Sequence, residues 1–257
     1  DDLIDGTIGS LVTVSVVDAS SDNNFDAVAD QTVSVTTADD DVAGFTIVEL
    51  EGSTAVDESG TTDTFTVVLD AQPETNVVMD IVSSDSTETT VTSSLTFTTS
   101  NWNAPQTVTV TGVNDGNNIN ESVTVSHSVS SGDSDYNGIS VSSVAVTMAD
   151  DDTVGITLSA TSGLTTTEAG GTDTFTIVLD TEPTANVVIG LTSSDTTEGT
   201  VSPSSVTFTT GNWNSAQTVT VTGVDDAVID GSQDTTITLS VNDGSSNNNY
   251  CLLYTSD

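Results

Sequence analysis

The chain has 257 residues, of which 39 are Asp or Glu, one is His and none is Lys or Arg, so its formal net charge at pH 7 is −39. That balance excludes nucleic acid and anionic membrane surfaces as partners, because both are held by clustered basic side chains. It favours solubility and the binding of cations, and no run of about 18 apolar residues is present to cross a bilayer.

Hydrophobic residues make up 34% and aromatics 4% of the chain. That supply is thin, but alternating Val, Thr and Ile fill a narrow sandwich core well. Scarce Pro and abundant Ser, Thr and Val point to β structure rather than disorder.

Taken in order, the chain is an array of repeats. TDTFTVVLD (62–70) returns as TDTFTIVLD (172–180), LTFTTSNWN (95–103) as VTFTTGNWN (206–214), and QTVTVTG (106–112) as QTVTVTG (217–223). Residues 1–41 read as the C-terminal part of a truncated repeat, 42–152 as a complete repeat, and 153–250 as a repeat lacking its last strand and closing acidic triplet. Phe25 stands as far before Asp41 as Tyr136 stands before Asp152, and Tyr250 holds the same place in the third repeat. The closing segment CLLYTSD (251–257) matches the translation of a transposase adapter used in sequencing libraries and is set aside as an artefact. It holds the one Cys, Cys251, so disulfides do not staple the rest. Lack of Cys fits a secreted bacterial repeat protein.

Within the complete repeat, period-two alternation and turn residues predict seven strands, at about 45–50, 63–69, 76–83, 94–98, 106–111, 122–129 and 141–148. Seven short strands in about 110 residues predict an all-β fold of tandem Ig-like antiparallel β-sandwich repeats, stacked head to tail. Odd-numbered strands then run one way and even-numbered strands the other. The loops after the first, third and fifth strands share one pole with the end of the seventh. Glu58, Asp85 and Asp115 lie in those loops, and Asp150, Asp151 and Asp152 end the seventh strand. Distant segments thus deliver carboxylates to one pole, which is also where the chain leaves for the next repeat.

Like charges in a row repel unless a cation sits among them, and no Lys or Arg is there to do so. Calcium takes six to eight oxygen ligands in flexible geometry, whereas zinc wants His or Cys and magnesium tolerates such crowding less well. In an extended triplet alternate side chains face opposite ways, so Asp150 and Asp152 can enter the cluster while Asp151 faces a second ion or solvent. The competing reading is a solvated acidic surface; convergence at one pole with repeated spacing favours calcium.

These residues resemble the Calx-beta domain, a family known from sodium–calcium exchangers and large bacterial surface proteins. The resemblance covers residues 1–250. It rests on Glu58 before Ser59-Gly60 and Glu168 before Ala169-Gly170, on Ser84-Asp85 and Ser194-Asp195, on the acidic loop after the fifth strand, and on the closing Asp triplets. It implies calcium ligands at Glu58, Asp85, Asp115, Asp150, Asp151 and Asp152 in the middle repeat. In the third repeat it implies Glu168, Asp195, Asp226 and Asp230, and in the first the triplet Asp39, Asp40 and Asp41. The fifth-strand loops read Asn114-Asp115-Gly116 and Asp225-Asp226-Ala227 where the family often has three Asp, so fewer or weaker ions are expected.

Other features read as structural. His127 is in phase with Val123, Val125 and Val129 and has Leu239 as its counterpart, which argues against catalysis; no Ser-His-Asp set is credible. Trp102 and Trp213 plug a core end or pack on a neighbouring repeat rather than stack sugars. The TVTVT runs are ordinary β alternation rather than an ice-binding ladder, and Lys–Asn isopeptide links are impossible without Lys. The expected function is non-enzymatic: a calcium-binding structural repeat region, extracellular or on a bacterial cell surface. Calcium at the joints would stiffen an adhesin-like or matrix stalk, with neighbouring repeats as partners and a surface glycan or protein as ligand. The alternative is a passive spacer or carbohydrate-binding module of a secreted enzyme.

Overall fold

The structure, a computed structural model, describes residues 2–25, 27–229, 231–242, 244 and 246–251. They fall into two compact units. One comprises Asp1–Val56, Gly60–Val113 and Ser122–Met148; the other comprises Asp57–Ser59, Asn114–Glu121 and Ala149–Asp257.

The first unit opens with strands β1 (Ile8–Val14) and β2 (Gln31–Thr37), an antiparallel hairpin that sets Val12 opposite Val33 and Ser10 opposite Val35. Both strands are exposed throughout. There follow β3 (Phe45–Glu49), β4 (Thr54–Asp57), β5 (Thr62–Leu69), β6 (Val77–Ser83) and β7 (Thr89–Val91). Then come β8 (Ser94–Phe97), β9 (Gln106–Gly112), β10 (Glu121–Ser131) and β11 (Val144–Ala149). One sheet has the order β3-β5-β9-β7 and the other β4-β11-β10-β6-β8. Alternate residues of both sheets meet in one core: Phe65, Val67, Val108 and Val110 from the first, Met79, Phe97, Val125 and Val146 from the second. This is a β-sandwich, and the alternation explains it. Thr on the outer face of β9 suits the pleat while Val fills the inner face.

All seven predicted strands form, and two more appear. Glu51 and Gly52 adopt positive φ (59° and 83°), which ends β3 in a 3-10 turn over Leu50–Gly52. The chain then crosses to the other sheet as β4, beside β11. The second addition, β7, pairs its three residues with β9. Tyr136 closes the far end of the core: its hydroxyl donates to the Ala71 carbonyl at 2.6 Å and accepts the Ala71 N–H at 3.2 Å.

The second unit repeats the plan. Its strands are β12 (Ile156–Leu158), β13 (Thr172–Leu179), β14 (Val187–Ser193), β15 (Gly199–Ser202), β16 (Ser205–Phe208), β17 (Gln217–Gly223) and β18 (Ile237–Val241). The sheets are β12-β13-β17-β15 and β16-β14-β18, around Phe175, Ile177, Ile189, Phe208 and Val219. Tyr250, in the short helix α1 (Asn248–Cys251), donates to the Thr181 carbonyl at 2.6 Å, as Tyr136 does to Ala71.

Two contacts recur with the same chemistry. The Gln72 N–H donates to the Asp2 carbonyl at 2.6 Å, with a parallel bridge between Leu3 and Gln72. The Glu182 N–H donates to the Gly116 carbonyl at 2.5 Å, with a parallel bridge between Asn117 and Glu182. In each case the residue preceding Pro73 or Pro183 receives a segment from earlier in the chain, within one compact unit.

Candidate metal centre

The site is built from three segments that all group with the second unit: 57–59, 114–121 and 149–152. Glu58 follows directly on β4, and its N–H donates to the Ala149 carbonyl at 3.1 Å. That bond ties the turn to the end of β11. The loop Asn114–Glu121 is folded by its own aspartate: Asp115 accepts the Asn117 N–H at 2.7 Å and also the Asn117 side-chain amide. Asn118 crosses to the triplet, donating to the Asp150 carboxylate at 2.8 Å and the Asp152 carbonyl at 2.6 Å. Asn120 accepts the Asp150 N–H at 3.0 Å. Asp150 in turn accepts the Asp152 N–H at 3.0 Å, which curls the triplet and brings Asp152 inward.

The outcome is a group of Glu58, Asp115 and Asp152 whose oxygens lie within 4.8 Å of one another. Two oxygens that share one calcium at 2.3–2.6 Å sit at most about 5 Å apart, so this spacing fits one ion. Glu58 is 1% exposed, and neither of its carboxylate oxygens has a hydrogen-bond partner. Burial, and then the charges of Asp115, Asp150, Asp152 and Glu121, push its carboxyl up to about 7. Burial and the Asp150, Asp151 and Asp115 charges also raise Asp152. Burying an ionised carboxylate without a counter-charge is costly, and like charges in contact add to that. A divalent cation reverses both terms.

Asp151 is exposed, in keeping with alternation along the triplet. Asp85 is exposed and turned into its own loop: it accepts the Thr87 N–H at 2.9 Å and the Thr87 hydroxyl at 2.6 Å, which hold its carboxyl below the usual range. The buried carboxylate of that loop is Glu88, 7% exposed. In the third repeat Asp195 makes the same turn with Thr197 at 2.9 and 2.6 Å, and Glu168 is exposed. Asp226 accepts the Val228 N–H at 2.8 Å, and Asp230 lies outside the described residues. In the first repeat Asp39 accepts the Gly6 and Asp41 N–H groups at 2.9 and 3.0 Å, which lowers its carboxyl; burial and the neighbouring aspartates raise Asp41, and Asp40 is exposed. The Asp39-to-Asp41 bond reproduces the Asp150-to-Asp152 bond.

The asparagine frame of Asn118 and Asn120 is absent from the sequence-based list. Its only sequence signal is the Asn run in the loop that carries Asp115. Trp213 packs against its own core, and Gly116 lies under it, where a Cβ would stand 2.7 Å from the indole. Trp102 likewise packs on its core. Half-buried His127 meets Phe65 edge-to-face with 5.8 Å between ring centroids. Its Nδ1 lies 2.8 Å from the Ser142 carbonyl, and burial lowers its pKa.

No protein-family model matches the chain, and no curated protein sequence matches it. Solved structures do. The CBD12 of CALX1.2 is 15% identical, covering 78% of this chain and 83% of that one, with a TM-score of 0.32. The calcium binding domain CBD12 of CALX1.1 is 14% identical, covering 77% and 80%, with a TM-score of 0.30. Domains 4–9 of the surface layer protein SbsC are 18% identical, covering 93% and 33%, with a TM-score of 0.33.

Proposed function

We propose that the chain is a calcium-binding structural repeat region of a secreted or cell-surface protein, and that it is not an enzyme. One observation carries this reading: a fully buried glutamate, Glu58, whose two oxygens have no partner, stands among Asp115, Asp150 and Asp152 in a chain without Lys or Arg. The ion would take Glu58, Asp115 and Asp152 as ligands, with Asp150 held beside them by Asn118. Asp115 shares its loop with Gly116 and Asn117, the residues that meet Glu182 and Trp213. Calcium on Asp115 would therefore stiffen the connection to the following repeat, as an adhesin-like or matrix stalk requires. No helix among the described residues is long and apolar enough to cross a membrane.

Calorimetric titration of the whole chain with calcium tests this. Saturable binding is expected, weakened at least about tenfold by Asp152→Asn and left unchanged by the exposed Asp151→Asn, since loss of a charged ligand is worth well over 1.4 kcal/mol. Equal binding by the two variants would reject the site.

A further inference from the structure

His127 is the one His of the chain. It lies on β10 opposite Ile81 of β6, in phase with the core residues Val123 and Val125. Its Nδ1 stands 2.8 Å from the Ser142 carbonyl. A carbonyl only accepts, so Nδ1 carries the proton of the neutral ring and Nε2 keeps a bare lone pair. That Nε2 is buried and has no hydrogen-bond partner among the described residues. Phe65, from the facing sheet, meets the ring edge-to-face with 5.8 Å between centroids. A neutral imidazole tolerates this setting, because one unused acceptor costs far less than a buried ion.

The charged groups of the elements packed around the ring are engaged elsewhere. On β6 Asp80 is exposed, on the opposite face from Ile81. On β5 Asp63 accepts the Ala55 and Thr64 N–H groups at 2.9 and 2.7 Å. In the segment 132–143 Asp133 accepts the Glu74 and Asp135 N–H groups at 2.8 and 2.9 Å, and Asp135 is exposed. Glu121, at the start of β10, acts on Glu58. β11 carries no ionisable side chain.

We infer that His127 is an acid latch of the middle repeat: a second proton on the ring, at Nε2, drives the imidazolium out of the core, releases the Ser142 carbonyl and frees the segment 132–143 from the sheet. That segment carries Tyr136, whose hydroxyl bonds to Ala71 close one end of the core, and it leads straight into β11. Acid therefore opens the sandwich at the Tyr136 end. Burial lowers the pKa of His127, in keeping with this geometry. The latch is closed above about 6.5 and opens as pH falls below that. The second unit has Leu239 in the corresponding place and lacks the latch. Nothing in this device depends on calcium.

The test follows amide hydrogen exchange by NMR on the whole chain in EDTA, at pH 5 and pH 7, with rates corrected for intrinsic exchange. At Gly138 and at 144–146, opening should be about three- to thirtyfold more frequent at pH 5, the ceiling being set by the distance of pH 5 from the ordinary His value of about 6.5. His127→Leu takes the residue of the second unit, and His127→Gln keeps a donor for Ser142. Neither binds the proton, so both should lose that rise. In the parent at pH 7.5 the imidazole nitrogen shifts should show the proton on Nδ1. An equal rise in the parent and both variants, or a proton on Nε2 at pH 7.5, would overturn the inference. So would opening that becomes rarer in the parent from pH 7 to pH 5 while His127→Leu stays level, because the face of Phe65 would then be holding the imidazolium.

Discussion

At the residue scale the decisive side chain is Glu58. Its carboxyl, raised to about 7 by burial first and neighbouring charge second, makes stability depend on pH in a definite sense. A folded-state pKa above the unfolded value means that the folded chain binds the proton more tightly. The associated stability is present below about 4.5 and is lost as pH rises through about 7. His127 acts in the opposite sense: its lowered pKa contributes stability that is present above about 6.5 and is lost as pH falls below that. In chelator, urea midpoints measured from pH 4.5 to 8 should therefore fall toward high pH, and Glu58→Gln should flatten that fall. The same variant should raise the metal-free midpoint at pH 8 and abolish the response to calcium. A pH profile unchanged by Glu58→Gln would show that Glu58 is not the group that titrates.

At the same scale, Asp85 shows what residue type alone does not say. Its position was legible, but its side chain is bonded to Thr87 and faces solvent. Asp85→Asn should leave calcium binding within about twofold of the parent by calorimetry, because surface changes of this kind move stability by about 0.5 kcal/mol or less. The triplet was more legible, since strict alternation separates Asp151 from its neighbours, and the structure exposes Asp151 alone. Asn118 was not legible, and Asn120 was legible only as a position, since it or Glu121 stands where the third repeat carries Asp230. Neither ranks as an ionic ligand, and their role depends on which loop crosses which strand end.

At the element scale, the alternating runs predicted all seven main strands, because a half-buried strand must alternate. The short β4 and β7 escaped that reading. Three or four residues are too few to show a period, and β4 exists because of a turn at Glu51–Gly52 and the neighbouring β11. The sheet switch matters for function, since β4 leads straight into Glu58. Elements also meet at Gly116, under Trp213. Gly116→Val should cost about 1–3 kcal/mol in the chemical midpoint, as overpacking does, and should shift tryptophan emission. An unchanged spectrum would mean that the indole does not rest on this loop. At the opposite pole, Tyr136→Phe removes a hydroxyl bonded twice to Ala71. It should cost about 1–3 kcal/mol in the same assay, because the Ala71 groups are left unsatisfied.

At the scale of the whole molecule, a charge of −39 with no compensating Lys or Arg opposes the compact state through self-repulsion. Monovalent salt screens that repulsion between exposed carboxylates, so general salt stabilisation is expected whether or not a specific site exists. What separates a site from a solvated acidic surface is a response to calcium beyond ionic strength. A ligand at about 100 times its Kd adds about 2.7 kcal/mol, which for a chain of this size is roughly 5–10 °C in Tm. The most direct measurement is a thermal melt of the whole chain in excess calcium and in EDTA, both brought to one ionic strength with sodium chloride. A rise of that order, absent from Glu58→Gln and Asp152→Asn, is the predicted result; coincident melting curves for the parent chain would contradict it.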